Sequence, residues 1–423
     1  MSRVSIPFPA DGGGTRGGTF RAMEDPGALE DPPHDVAIVG AGVSGLTLAW
    51  LLMASGAAGS SILLVDGARD DDELRTLSFW AAGPSPLDPL VVHRWDTLRL
   101  YPDRDDDTPH DVPLVDHTYR SVFLADLQRE VKARMAARPG DLVVDGRLHD
   151  LRPDGDGVRR VVGARTFRAR WVFDSRFHPR DLVVDTRHRH DLRQFFHGRL
   201  LRAHRDAFAP GTATLLDFRV DVPAGTGFAY VLPFSPREAL VELVTLHPVD
   251  AEPLLRTYLR RATGLDLDAG DADLLDRESG VSPMTEQPFG WHDGDRVRRI
   301  GIAAGRLKPS TGYAVTRIVE DSRRIVAALE RGRSPLVPPP GGPGHRLFHR
   351  LLDAVLLEVW QHRPEAIPPA FAAMFLRNPP DAVLRFLDER ARPAEMVRLV
   401  ATLPKRPFLH AVARLTARRL TGH

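Results

Sequence analysis

The sequence predicts an α/β protein built on a Rossmann-like dinucleotide-binding domain, with an inserted mixed β-sheet and a C-terminal helical segment. Residues 35–66 read in order as an apolar strand, a glycine-rich turn, an apolar helix and a second strand. Short apolar runs separated by turn residues fill the middle of the chain. Beyond residue 344, apolar residues recur at helical spacing.

The turn after the first predicted strand has the pattern GxGxxG. In this context Gly40 makes the tight turn, Gly42 lets the backbone approach a pyrophosphate, and Gly45 lets the helix pack closely on the sheet. Asp66 closes the second strand and can accept hydrogen bonds from a ribose hydroxyl. Together these elements favour dinucleotide binding over a glycine-rich turn without a ligand.

A second glycine-rich segment, IGIAAGRLKPSTGYAVTRI, spans Ile300–Ile318. It predicts a strand over IGIA and a helix that begins near Thr311. Such a distant second contact favours FAD over NAD, and so an FAD-binding domain of the glutathione-reductase or flavin-hydroxylase type. The N–H groups of Ser310, Thr311 and Gly312 are then expected to face the flavin ring. Lys308 either adds positive charge there or is a solvated surface lysine.

Composition and patterning divide the chain into parts. Residues 1–33, rich in Gly, Pro and Asp, are predicted to form a disordered leader. The FAD-binding domain is predicted over 35–332, with the substrate-binding sheet inserted at about 75–130 and 190–290. A helical subdomain is predicted over 345–423.

The C-terminal segment contains 13 basic and 7 acidic residues and several amphipathic stretches. Two interpretations remain open. The helices either only pack on the body of the protein, or also form a basic amphipathic surface that contacts anionic lipid.

Composition excludes several classes of function. A formal net charge of +1 gives no electrostatic basis for nucleic-acid binding. The chain has no cysteine, so disulfides and zinc–thiolate sites are excluded, and we predict no metal site. No apolar run is long enough to span a bilayer or serve as a signal peptide, which predicts a cytoplasmic location.

Four segments resemble the flavin-dependent lycopene cyclases of bacteria and plants: RTLSFW (Arg75–Trp80), FDSR (Phe173–Arg176), YVLPFSPREALVE (Tyr230–Glu242) and KPSTGYA (Lys308–Ala314). LRNPPDAVLRFLDE and VATLPKRPFL are similar to the tail of the bacterial branch. The resemblance extends from about Asp35 to about Leu409.

The resemblance implies a reaction without net redox change. A linear carotene is protonated at a terminal double bond, a neighbouring double bond attacks the cation, and loss of a proton leaves a β-ionone ring. It also implies FAD used in its reduced form, NADPH as external reductant, and a peripheral location on the inner face of the cell membrane, where a hydrocarbon such as lycopene is available.

Glu242 matches the acidic motif of the family and is the predicted catalytic residue. A carboxyl group buried against Leu240 and Leu243 would have a raised pKa and could give a proton and take one back. The alternative is a surface glutamate on an amphipathic strand. Where the family often has a second acid or a threonine, this chain has Leu243, so the motif contains a single acid.

The aromatic residues Phe79, Trp80 and Trp95 could present π faces to the cation, or could be ordinary core residues. Tyr313, from the KPSTGYA segment, is the fourth predicted substrate-binding residue.

Arg75 and Asp174 are predicted to bind the cofactor. For Asp174, a structural ion pair with Arg176 is the alternative.

Two other functions remain open. One is a cyclase of the same mechanism acting on another polyene or terpenoid. The other is a flavin monooxygenase or prenyl reductase, which would consume NADPH stoichiometrically.

Overall fold

A computed structural model describes residues 33–67, 74–154, 157–162, 165–178, 182–223, 225, 227–338 and 343–421. The predicted N-terminal leader lies outside the described residues, apart from its last position.

The strands of the described residues are β1 (His34–Val39), β2 (Ile62–Asp66), β3 (Thr76–Ala81), β4 (His93–Trp95), β5 (Thr97–Tyr101), β6 (His110–Pro113), β7 (Thr118–Phe123), β8 (Leu142–Asp145), β9 (Leu148–Asp154), β10 (Gly157–Val162), β11 (Arg165–Asp174), β12 (Leu192–Ala203), β13 (Thr212–Asp217), β14 (Gly227–Pro233), β15 (Glu238–Thr245), β16 (Ala272–Met284), β17 (His292–Asp293) and β18 (Val297–Arg299).

The α-helices are α1 (Val43–Met53), α2 (Leu124–Ala136), α3 (Ala251–Thr263), α4 (Val315–Glu330), α5 (Pro343–His362), α6 (Ile367–Leu376), α7 (Pro380–Leu387), α8 (Pro393–Thr402) and α9 (Lys405–Thr421). None of these helices combines the length and hydropathy that crossing a bilayer requires.

The first sheet forms the dinucleotide-binding layer. Within the described residues its strand order is β17-β18-β11-β1-β2-β8, with the β9–β10 hairpin attached to β11. Strands β18, β11, β1, β2 and β8 run parallel, and α1 packs against α4. Parallel strands end at the same edge of a sheet, so the loops after β1, β2, β11 and β18 meet there.

The second sheet has the order β16-β12-β15-β14-β13-β5-β6. It is mixed, because β13 pairs parallel with β5 while its other pairs are antiparallel. Side chains that alternate along β15 pack into two different hydrophobic cores. Val241 and Leu243 pack with α3, whereas Leu240 and Val244 pack with the C-terminal helices.

A third, small sheet, β3-β7-β4, connects the two larger ones. The C-terminal helices α5 to α8 cover the free face of the second sheet, where Trp360, Phe371 and Phe375 join the same core as Leu240. The sequence pattern missed α6, which begins with the segment IPPAF. Proline at the first turn of a helix is tolerated because its missing N–H would have no partner there.

One buried carboxylate attaches the C-terminal helices to the sheet layer. Asp381, in the first turn of α7, accepts hydrogen bonds from the backbone N–H groups of Val115, Asp116 and His117 at 2.9–3.1 Å. It also pairs with the His117 ring at 2.7 Å. Burial alone would raise the pKa of Asp381, but these hydrogen bonds hold it below its ordinary value.

We predict that Asp381→Asn lowers the free energy of unfolding by roughly 2–4 kcal/mol. The NH₂ group of asparagine is itself a donor and cannot accept hydrogen bonds from the backbone N–H groups that Asp381 binds. Since the pKa of Asp381 is depressed, its contribution exists above the unfolded-state pKa and is lost as the pH falls through the folded-state value. The difference from wild type in urea denaturation should therefore shrink on acidification. Asp105→Asn, at an exposed position, is the control. A pH-independent difference, or equal loss in both variants, would contradict this role for Asp381.

Candidate active site

The first glycine turn forms a cradle at the edge of the parallel sheet. Gly40 has φ +98°, and a Cβ built on it would lie 2.4 Å from Ser175 Oγ. A Cβ on Gly45 would lie 2.0 Å from the Gly40 carbonyl oxygen. Gly42 precedes α1, and no side chain caps this helix. Its first backbone N–H groups are therefore available to an anion, so the turn fits a dinucleotide pyrophosphate.

The second glycine segment lies directly on this cradle. The predicted strand over IGIA is wrong, because β18 ends at Arg299 and Gly301–Ala304 forms a 3₁₀ turn. Gly301 has φ +67°, which a strand does not allow, and its Cβ would lie 2.1 Å from Ser44 Oγ in α1. Only glycine lets the two loops approach this closely.

The predicted helix start near Thr311 is also wrong, since α4 begins at Val315. The N–H groups of Thr311 and Gly312 donate to the Lys308 carbonyl at 3.3 and 2.9 Å, and Lys308 N–H donates to the Tyr313 carbonyl at 2.8 Å. Gly312 has φ +78°, which interrupts a helix. These N–H groups therefore close a turn instead of facing a ligand.

Lys308 and Ser310 bind the C-terminal helices. Ser310 Oγ donates to Asp353 Oδ1 at 2.6 Å, and Lys308 Nζ lies 2.5 Å from the same oxygen and 3.0 Å from Glu389 Oε1. Lys308 is 5% exposed, so the surface interpretation is wrong. Its charge is also largely neutralised by the two carboxylates.

Two of the predicted cofactor carboxylates lie at the same sheet edge, each with a cationic partner. Asp66 ends β2, where its Oδ2 accepts from Gln128 Nε2 at 2.9 Å and lies 2.8 Å from Lys132 Nζ. Asp174 ends β11 and forms an ion pair with Arg176 at 2.7 Å, as the alternative interpretation had it.

A pair of carboxyl groups lies on the second sheet. Gly198 in β12 is directly opposite Glu242 in β15 and Glu278 in β16. Residues paired in this way point to the same face of a sheet. A Cβ on Gly198 would lie 3.2 Å from Glu278 Cβ and 3.7 Å from Glu242 Oε2. Only a glycine therefore separates the two acids.

Glu278 is buried and incompletely bonded. It is 4% exposed, and Oε1 accepts from Thr76 N–H at 2.8 Å. Its Oε2 is buried without a hydrogen-bond partner among the described residues. Burial raises the pKa of Glu278 above its ordinary value, although the positive charge of nearby Arg75 works in the opposite direction. Arg75, predicted to bind the cofactor, thus lies within electrostatic reach of the carboxyl pair.

Glu242 lies on the face of β15 that points to the C-terminal helices. Leu240 and Val244 share this face, whereas Leu243 points to the α3 core, which corrects one of its two predicted neighbours. The side chain keeps an intermediate exposure, but protein atoms surround the carboxyl group densely. Burial first, and the Glu278 charge second, hold the pKa of Glu242 well above its ordinary value.

Aromatic side chains form a wall next to the carboxyl pair. Tyr230 is directly opposite Glu242 across β14 and β15, and its hydroxyl lies 3.1 Å from that of Tyr313. The Tyr313 ring contacts Trp80 with centroids 4.4 Å apart. Tyr119 was not predicted from the sequence, and its ring centroid lies 5.9 Å from that of Trp95. The structure thus brings three of the four predicted substrate residues to this wall.

The structure corrects the expectation for Phe79. Successive residues of a strand point to opposite faces, so Phe79 and Trp80 point in opposite directions from β3. Phe79 packs with Ile38 and Leu46 in the core of the dinucleotide-binding layer. It does not belong to the aromatic wall.

One group of possible metal ligands occurs in the described residues. His345, His349 and Glu389 each place a ligand atom within 4.8 Å of the others. However, Glu389 already pairs with Lys308 and Arg317. Two cations on the only carboxylate disfavour a further divalent cation, so we assign no metal to this group.

Solved structures with the same fold are flavin-dependent enzymes or related to them. The flavin-dependent brominase Bmp2 has a TM-score of 0.54 at 14% identity, over 88% of this chain and 98% of its own. A geranylgeranyl bacteriochlorophyll reductase-like protein from Thermoplasma acidophilum has a TM-score of 0.50 at 16% identity, over 90% and 96%. PqsL from P. aeruginosa has a TM-score of 0.51 at 18% identity, over 85% and 99%. The predicted fold class is confirmed.

Among curated protein sequences, no significant match is found. The family model described as lycopene cyclase protein matches residues 35–413, which is most of the chain. The chain therefore belongs to the lycopene cyclase family.

Proposed function

We propose that this protein is a lycopene β-cyclase that closes the ends of a linear carotene into β-ionone rings without net redox change. The observation that carries the proposal is the carboxyl pair Glu242 and Glu278, set across Gly198 beside an aromatic wall. Protonating an alkene needs an acid that stays protonated at neutral pH in a site that excludes water. A raised pKa in an apolar environment meets both needs.

In this mechanism Glu242 donates its proton to a terminal double bond of the carotene. A neighbouring double bond attacks the resulting cation and closes the ring, and the proton lost from the ring returns to the Glu242 carboxylate. The carboxyl group is thus regenerated and no electrons leave the substrate. Glu278 favours the protonated form of Glu242, because two ionised carboxylates at this separation repel each other.

The aromatic wall stabilises positive charge during ring closure. A cation next to the faces of Trp80 and Tyr313 would gain roughly 0.5–2 kcal/mol per desolvated ring. The Tyr230 and Tyr313 hydroxyls bond to each other, which fixes the positions of both rings in the wall.

FAD fits the cradle formed by the two glycine turns. The uncapped N-terminus of α1 would hold the pyrophosphate, with Asp66 at the adjacent strand end for the ribose. In its reduced form, maintained by NADPH, the bound flavin would supply negative charge that stabilises the cationic intermediate. Asp174, at this edge, and Arg75, near Glu278, are retained as proposed cofactor neighbours.

We also propose peripheral contact with the inner face of the cell membrane, where a hydrocarbon substrate is dissolved. Exposed apolar side chains on α8 and α9, including Val397 and Leu409, alternate with arginines on the same helices. Such a surface suits anionic lipid.

We expect Glu242→Gln to keep the flavin but to lower cyclised product by roughly 10²–10⁴-fold, because an amide cannot donate a carboxylic proton. Flavin absorbance and its reduction by dithionite report cofactor binding, and pigment analysis with lycopene reports turnover. Glu238→Gln, on the same strand but paired with Arg202, should be near wild type. Near wild-type cyclisation by Glu242→Gln would remove this residue from the mechanism.

For Glu278→Gln we expect the alkaline limb of the pH–rate profile to move to lower pH. The variant lacks the negative charge that helps raise the pKa of Glu242, so Glu242 loses its proton at lower pH. Glutamine keeps an oxygen for the Thr76 N–H. The measurement is the cyclisation rate against pH, and an unshifted alkaline limb would show that the two carboxyl groups act independently.

The NADPH balance separates the cyclase from redox alternatives. We expect many rings to form per NADPH oxidised under anaerobic conditions, since the reaction moves a proton and no electrons. A flavin monooxygenase or prenyl reductase would consume one NADPH per product. Stoichiometric consumption would therefore exclude the proposed function.

A further inference from the structure

A second cavity lies among the C-terminal helices, away from the carboxyl pair. It has a volume of about 280 Å³ and is lined mainly by apolar side chains of α5 to α9, among them Leu356, Met374, Phe386, Leu403 and Phe408. We call it the helical cavity. Nothing in the proposed proton chemistry uses it.

The helical cavity adjoins the aromatic wall. A smaller void of about 30 Å³ is lined by Tyr230 and Tyr313, beside Glu242. Ser310, Phe371 and Leu387 line both spaces. These three residues therefore form the partition between the helical cavity and the void next to the aromatic wall.

The polar groups at the inner end of the helical cavity bond to one another. Lys308, Ser310 and Asp353 form a buried network at 2.5–2.6 Å. Their polar atoms are thus occupied, and apart from His349 and Lys405 the remaining lining is apolar. Such a lining favours an apolar ligand, because burying apolar surface away from water is favourable.

The mouth of the helical cavity lies on the exposed apolar surface of α8 and α9. Val400, Leu409 and Val412 line the cavity and are 45%, 65% and 47% exposed. Lys405 lies at the same mouth. An opening rimmed by apolar side chains and a cation suits entry from a lipid surface.

We propose that the helical cavity is the entry and binding site for the linear polyene chain, and that Phe371 and Leu387 form the gate to the carboxyl pair. The proposal rests on the proposed function for its substrate class. A long polyene with one end at Glu242 needs a path for the rest of its chain, and the small void has room for about one water molecule. The adjoining helical cavity provides this path once the gate side chains move.

The absence of cysteine from the chain permits a test that does not depend on turnover. Val412→Cys places a single thiol at the mouth of the helical cavity. Val183→Cys is the control, because this valine is 83% exposed, lies outside the α8–α9 surface and does not line the cavity. Each variant, with FAD bound, is labelled with a bulky maleimide in anionic vesicles with or without lycopene.

We expect lycopene to slow labelling of Val412→Cys by at least about tenfold and to leave the labelling rate of Val183→Cys unchanged. After labelling in empty vesicles, only Val412→Cys should lose cyclised product. Equal labelling rates with and without lycopene, while rings still form, would overturn the entry site and leave the cyclase proposal intact. Protection without any ring formation would support the entry site and overturn the cyclase proposal.

Discussion

The candidate active site depends on the cost of burying a second negative charge. Glu242 and Glu278 lie on one face of the sheet with only Gly198 between them. Burial raises the pKa of both carboxyl groups, and the Glu278 charge adds to the raised pKa of Glu242. Gly198 is essential to this arrangement, because a side chain there would enter the space next to both acids. The fold therefore raises the pKa values of both glutamates above that of a free glutamate.

The dry environment of the carboxyl pair comes from the C-terminal helices. Trp360 and Phe371 pack in the same core as Trp80 and Leu240, so the helices cover the face of the second sheet that carries the carboxyl pair. Charged anchors hold this cover in position. Asp381 binds the loop before β7, and Asp353 binds the turn before α4. Loss of either anchor would admit water, which would lower the raised pKa values on which the chemistry depends.

Local patterns in the sequence predicted many of the elements, but not the 3₁₀ turn at Gly301–Ala304 or the contacts between elements. The turn at Gly40 and the strand that carries Glu242 were predictable, because glycine spacing and side-chain alternation act over a few residues. Glu278 was not, since it lies 36 positions beyond Glu242 and meets it only through the register of β12 with both neighbours. The direction of Phe79 and the true start of α4 depended equally on tertiary packing.

The buried state of Lys308 changes how the second glycine segment is understood. Because Asp353 and Glu389 pair with it, Lys308 brings little net charge to the sheet edge. Glu389 has φ +62°, an uncommon conformation for glutamate that its pairing with Lys308 helps to hold. The N-terminus of α4, which no side chain caps, also presents positive potential at this edge. In this arrangement the lysine fixes the turn in place, and the helix that follows would supply the positive potential for an anionic ring.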